Sequence, residues 1–163
     1  MNGPIKIWLC MAFSPVYRCG GWASVRVDQG ERNGRAGGER NTTADRIALV
    51  GLVAALRDHP PGAVVEIQTT SAELAAFSGA VASLGTQTHT PSPTEDLDLW
   101  AQIIAASAGR RLTLVHANVA PGTPLTFAAA WAELARDKAK ATGAFSAAIP
   151  RPNLAKVPGL STG

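Results

Sequence analysis

The side chains that carry reactive chemistry in this chain are few and scattered. It has two cysteines, Cys10 and Cys19, and three histidines, His59, His89 and His116. A thiol attacks as the thiolate, which needs an imidazole or a cation beside it. The histidines fall at loops or strand ends, and no local signature ties one to Cys10. Without such a neighbour, Cys10 reads as a small buried hydrophobe. A zinc set of Cys10, Cys19 and His116 lacks a fourth ligand and any characteristic spacing, so no metal ligand group is expected there. The other chemistry on offer is anion binding. Arg26, Arg32, Arg35, Arg40 and Arg46 gather in one stretch, which permits contact with phosphates. Thr43 and Arg46 open a helix, whose N-terminal amides and dipole suit an anion. Thr43 serves equally as an ordinary N-cap.

These groups belong to a chain of 163 residues, 46% hydrophobic and 17% charged, with a formal charge of +3. That is one globular domain with a sizeable core, only mildly basic. Two cysteines make no disulfide framework, which fits a reducing cytoplasm. The apolar run "IWLCMAF" is too short to span a bilayer, so no membrane segment is expected. The Ala-, Gly- and Arg-rich composition suggests a GC-rich bacterial or phage genome.

The elements follow from periodicity. "IKIWLCMA" alternates as a strand, "GGWASVRVD" is a second and "GERNGRAGGER" a glycine-punctuated third. "NTTADRIALVGLVAALRDHPPG" changes to a helical period, capped by Thr43 and stopped at His59-Pro60-Pro61-Gly62. "AVVEIQT" is a short buried strand, and "SAELAAFSGAVASL" a helix. The loop "GTQTHTPSPT" precedes a third helix, "EDLDLWAQIIAASAG". "RRLTLVHA" is the fifth strand. In the last helix, "LTFAAAWAELARDKAKA", Phe127, Trp131, Leu134 and Lys138 share a face. Trp8, Trp22, Trp100 and Trp131 read as core residues. The spacing predicts a domain over residues 1–143 and a Pro-rich tail over 144–163. In the tail, Leu154, Val157 and Leu160 recur at intervals of three, the pattern of an extended docking peptide.

The order β-β-β-α-β-α-α-β-α predicts an α/β fold with a mixed five-stranded sheet and helices on both faces. With these lengths it resembles ribonuclease H, the fold that cuts the RNA strand of an RNA–DNA hybrid. The resemblance covers about residues 4 to 143. "CGGWASVRV" is similar to that family's second strand, and "NTTADRIALVGLVAAL" to its first-helix entry. "DLDLWAQIIAA" is similar to the helix bearing Asp-Leu-Trp, and "WAELARDKA" to the closing helix.

The resemblance implies four clustered carboxylates holding two Mg²⁺ ions. Carried over by position, those carboxylates become Cys10, Ala48, Thr70 and Ala132, and the mobile-loop histidine becomes Asn118. Mg²⁺ would then be held only if other acids rebuilt the site. Asp45 sits about 5 Å along the helix from Ala48. Glu66 lies roughly 13 Å along the strand from Thr70. Glu133 is rotated about 100° from Ala132. Divalent cations need oxygens within about 2.0–2.6 Å, so such displacements defeat the site. The resemblance also implies a DNA-phosphate pocket at the first helix, which makes Thr43, Arg46 and Arg40 the candidate nucleic-acid contacts. "GTQTHTPSPTEDLDLW" stands in place of the family's basic protrusion, with no Lys or Arg and three acids, which disfavours tight backbone binding.

The expectation is a catalytically inactive ribonuclease H-like domain used as a protein-binding or assembly module. The alternatives are a pseudo-nuclease that still binds hybrid or duplex nucleic acid, and a working ribonuclease with displaced ligands. No cofactor is expected in the first two cases.

Overall fold

A computed structural model of the chain describes residues 5–28, 31–56, 64–70, 97–107, 111–119 and 122–157. The strands are β1 (Ile5–Ser14), β2 (Cys19–Asp28), β3 (Glu31–Glu39), β4 (Val64–Thr69), β5 (Arg111–His116) and β6 (Phe145–Ala148). The helices are α1 (Ala44–Ala55), α2 (Leu97–Ser107), α3 (Pro124–Thr142) and the single turn α4 (Arg151–Leu154). The helix expected over 71–84 and the loop over 85–94 lie outside the described residues. Among the described residues, no helix is long and apolar enough to cross a membrane.

The sheet is mixed and has six strands in the order β5-β4-β1-β2-β3-β6. β1 pairs antiparallel with β2 and parallel with β4, so it lies in the middle of the sheet. A central strand is buried on both sides, and the alternation in β1 therefore sorts residues between two cores rather than between core and solvent. Ile5, Ile7 and Leu9 join α1, α2 and β4 in one core. Trp8 and Cys10 join α3 and the C-terminal segment in the other. Trp22 is buried like Trp8; Trp131 is half-buried, and the side chain of Trp100 lies outside the described set.

The sixth strand corrects the sequence-based count of five. β6 adds to the outer edge of β3, with Phe145 opposite Gly38 and Ala148 opposite Arg35. Its four residues, "FSAA", are half-buried or exposed and alternate weakly, so they give no strand signal beside the prolines that follow.

The last helix also differs from expectation. The stripe Phe127, Trp131, Leu134 is not the face α3 buries: Leu134 is 60% exposed. The buried face is Leu125, Ala128, Ala132, Ala135 and Ala139. The cause is in the sheet. A Cβ placed on Gly21 would lie 2.2 Å from the backbone N of Arg136 and 2.4 Å from the Ala132 carbonyl oxygen. On Gly38 it would lie 2.8 Å from Ala139 Cβ. Glycines in β2 and β3 let the helix lie against the sheet almost backbone to backbone, and only alanines fit that gap.

Candidate functional site

Position 10 lies at the centre of β1, opposite Ala23 of β2. The Cys10 side chain is 1% exposed and its Sγ donates to the Leu125 carbonyl oxygen at 3.4 Å. Burial pushes the thiol up from its ordinary 9.0 to about 11, against a smaller opposing effect of its hydrogen bond with Thr70. A thiol held this way is protonated at neutral pH and is a poor nucleophile.

This has a measurable consequence. Between pH 9 and 11 an unfolded chain has lost the Cys10 proton while the native chain keeps it. Native stability therefore falls as pH rises through that window, by up to about 3 kcal/mol for a shift of this size. Cys10→Ala is expected to flatten the loss in denaturant titrations across the window. In a Cys19→Ala background, a disulfide-exchange reagent at pH 8 is expected to reach Cys10 only as fast as the protein unfolds. An immediate reaction would show an accessible thiolate instead.

The structure brings Cys10 beside Thr70 and places Ala132 in the same buried core. Ala48 is buried in the core on the opposite sheet face. Asn118 is exposed just after β5, where the chain runs along the end of β4 through Ala117 N donating to the Thr69 oxygen at 2.9 Å. Asp45, Glu66 and Glu133 are all exposed. Among the described residues, no group of three or more His, Cys, Asp or Glu side chains is arranged to hold a metal ion.

The first turn of α1 is built as follows. Thr43 Oγ1 accepts a hydrogen bond from the Arg46 backbone N at 3.1 Å, an N-cap in the usual sense. The Arg46 guanidinium meets Asp98 in two-pronged fashion, Nη1–Oδ1 at 3.2 Å and Nη2–Oδ2 at 3.0 Å. Its Nε lies 3.8 Å from Glu39 Oε1. The hydrogen bonds from Arg46 hold the Asp98 carboxyl below its ordinary range. Arg40 is exposed. Asp98 comes from α2, and no local pattern near Arg46 foretells that pairing.

The arginines of β3 have partners in the C-terminal segment. Arg32 Nη1 donates to the carbonyl oxygens of Leu154 at 3.1 Å and Ala155 at 3.3 Å. Arg35 Nη2 donates to Ser146 Oγ at 3.1 Å. Leu154 is 4% exposed and Val157 5%, both packed against this chain's own sheet. The pair read from sequence as a docking edge is therefore turned inward; Leu160 lies outside the described residues.

No family model matches the sequence, and no curated protein matches it. Solved structures do match in shape. The N-terminal RNase H domain of rv2228c from Mycobacterium tuberculosis, a fusion with maltose-binding protein, superposes with a TM-score of 0.61 at 17% identity, covering 85% of this chain and 96% of that one. LC11-RNase H1, solved in complex with RNA/DNA hybrid, gives 0.60 at 20% identity, covering 83% and 98%. LC9-RNase H1, a type 1 RNase H with the type 2 active-site motif, gives 0.59 at 16% identity, covering 88% and 77%. The chain has the ribonuclease H fold.

Within a ribonuclease H fold, the donor set at the four positions does not fit paired magnesium. Hard cations take carboxylate and carbonyl oxygens. Here the positions offer a protonated thiol, one hydroxyl and two methyl groups, with Cys10 and both alanines buried.

Proposed function

We propose that this chain is a ribonuclease H-fold domain that does not hydrolyse hybrid and serves as a binding or assembly module for another protein. One observation carries the reading. The position that would hold the central carboxylate is a thiol buried in an apolar core and bonded to a backbone carbonyl. Four carboxylates would leave no neighbouring charge unmatched only with metal ions between them, whereas thiol and methyl groups pack without any ion. The surface suited to a protein partner is the α3 stripe. Phe127 and Trp131, with ring centroids 6.2 Å apart, lead to the exposed Leu134. Phe127 and Trp131 are half-buried at the margin of the core, so the surface offered is Leu134 with the outer edges of the two rings, a small apolar patch of the kind used in such contacts.

A second reading retains nucleic acid as the ligand, favoured by the exposed Arg40 beside the capped start of α1. It is weakened by the two acids that already hold Arg46. Labelled RNA–DNA hybrid incubated with the protein in Mg²⁺ or Mn²⁺ is expected to remain intact, at the level of a protein-free control. Metal-dependent cleavage that Thr70→Ala removes would sink the proposal. Hybrid affinity measured against salt separates the two binding readings. A steep salt slope lost in Arg40→Ala supports nucleic acid, and a flat, weak response supports a protein partner.

A further inference from the structure

The face of the sheet that α1 covers opens, beside the last turn of the helix, into a cavity of about 300 Å³. Its lining includes Ser24, Arg26, Asn33, Arg35 and Ala55. Strand register explains why the polar groups converge. Arg26 stands opposite Asn33, and Ser24 opposite Arg35, on alternate pairs of one β2–β3 ladder, with Val25 and Gly34 between them. Alternation along each strand puts all four on a single face, with the two arginines as diagonal neighbours at roughly 7–8 Å or less.

The arginines are poorly compensated. Arg26 Nε is buried with no hydrogen-bond partner, and Arg26 joins no ion pair among the described residues. Arg35 is exposed and, among the described residues, its guanidinium meets only the neutral hydroxyl of Ser146. Asp28 and Glu31 pair across the outer end of the same hairpin, yet neither forms an ion pair with these arginines. No acidic side chain lines the cavity among the described residues. The C-terminal end of α1 contributes about half a negative charge, enough to hold the cations but not to match two of them. Leaving a guanidinium N–H buried and unpaired is unfavourable, and two like charges at diagonal positions on one sheet face repel.

We propose that this cavity binds a small phosphate monoester, with the phosphate seated between Arg26 and Arg35. A monoester carries about −1.5 to −2 charges at pH 7, which answers two guanidiniums where a carboxylate or a diester supplies one. Planar guanidinium forks engage its oxygens in pairs. Ser24 and Asn33 offer neutral hydrogen bonds beside the charged ones. The volume is at the small end of ligand pockets, sized for a phosphate with a sugar-like body and not for a duplex. The site is separate from the Thr43–Arg46 turn, which lies at the other end of α1, about 18 Å away along a helix of twelve residues.

The test uses inorganic phosphate and glucose 6-phosphate as probes, by calorimetry and thermal unfolding in chloride-matched buffer. Both are expected to bind saturably and raise the melting temperature, whereas glucose does neither. Arg26→Gln and Arg35→Gln are each expected to weaken binding about tenfold or more. The double variant abolishes it without lowering the melting temperature of the free protein. Arg26→Lys, which keeps the charge but loses the fork, falls between. Affinity rises from pH 5.5 to 7.5 as the phosphate loses its second proton. The absence of a saturable response to either probe, or its survival in the double variant, would overturn the assignment. So would arginine-dependent binding of a single-stranded oligonucleotide lacking terminal phosphates without binding of glucose 6-phosphate, which would move the ligand to a nucleic-acid backbone.

Discussion

Gly21→Ala is expected to destabilise the protein by about 3 kcal/mol or more, a large share of a typical domain's stability. On general grounds the substitution should help, because alanine restricts the unfolded chain and suits a strand better than glycine by about 0.5–1 kcal/mol. The geometry reverses that sign. The new methyl would sit 2.2 Å from the Arg136 backbone N and 2.4 Å from the Ala132 carbonyl oxygen. Those atoms belong to the helix backbone, so no rotamer change relieves the overlap and α3 as a whole must lift from the sheet. The alanine face of α3 then loses its fit along Ala128, Ala132, Ala135 and Ala139 together. Gly34→Ala is the internal control. Its methyl would meet Leu154 Cδ2 at 2.9 Å, Ile149 Cδ1 at 3.0 Å and the Ser24 carbonyl oxygen at 3.2 Å. The closest two are side-chain ends and the backbone approach is milder than at Gly21, so the expected cost is about 1–2 kcal/mol, below that of Gly21→Ala. Denaturant midpoints at constant m-value read both. Ala132→Gly should not rescue Gly21→Ala, since the clash is with main-chain atoms. A rescue, or a neutral Gly21→Ala, would show that the helix sits farther from the sheet.

What could be read from the sequence was whatever depends on local pattern. The alternation of β1 and the period change at Thr43 each recur in the structure because burial on a regular element leaves a period. Thr43 was legible as a cap for the same reason, since capping is settled within three residues. What local pattern does not give is a surface chosen by distant partners. Phe127, Trp131 and Leu134 form a better apolar stripe than the alanines of α3, yet Gly21 and Gly38 select the alanines. Arg46, a candidate phosphate contact from its place at the helix start, also meets Asp98 from 52 residues away, a pairing that no local pattern gives. The carry-over to positions 10, 48, 70 and 132 rests on the resemblance and the letters alone. That Cys10 donates to Leu125, which lies 115 residues on, was not visible, because nothing local ties the two positions together.

The C-terminal segment gives the second large effect, and it separates two roles for the same residues. Leu154→Ala is expected to cost about 2–4 kcal/mol, lowering the melting temperature by roughly 5–12 °C for a domain of this size. The argument is burial: Leu154 is 4% exposed within the core that also holds Ile149 and Val157. Its backbone contributes as well, because Arg32 reaches across 122 residues to its carbonyl oxygen. Removal of residues 145–163 should cost more. It deletes all three apolar anchors, strands Arg32 without its two acceptors and leaves the β3 edge open where β6 had paired with it. An open, glycine-rich edge invites pairing with another chain, so the truncated protein is expected to self-associate as well as melt lower. A tail acting only as a docking peptide predicts the opposite, with an unchanged melting temperature after either change and loss confined to partner binding. The melting curve of Leu154→Ala decides between them before any partner is known. It also sets how truncation must be used, because loss of binding after removing 145–163 speaks for a contact only if the fold survives the cut.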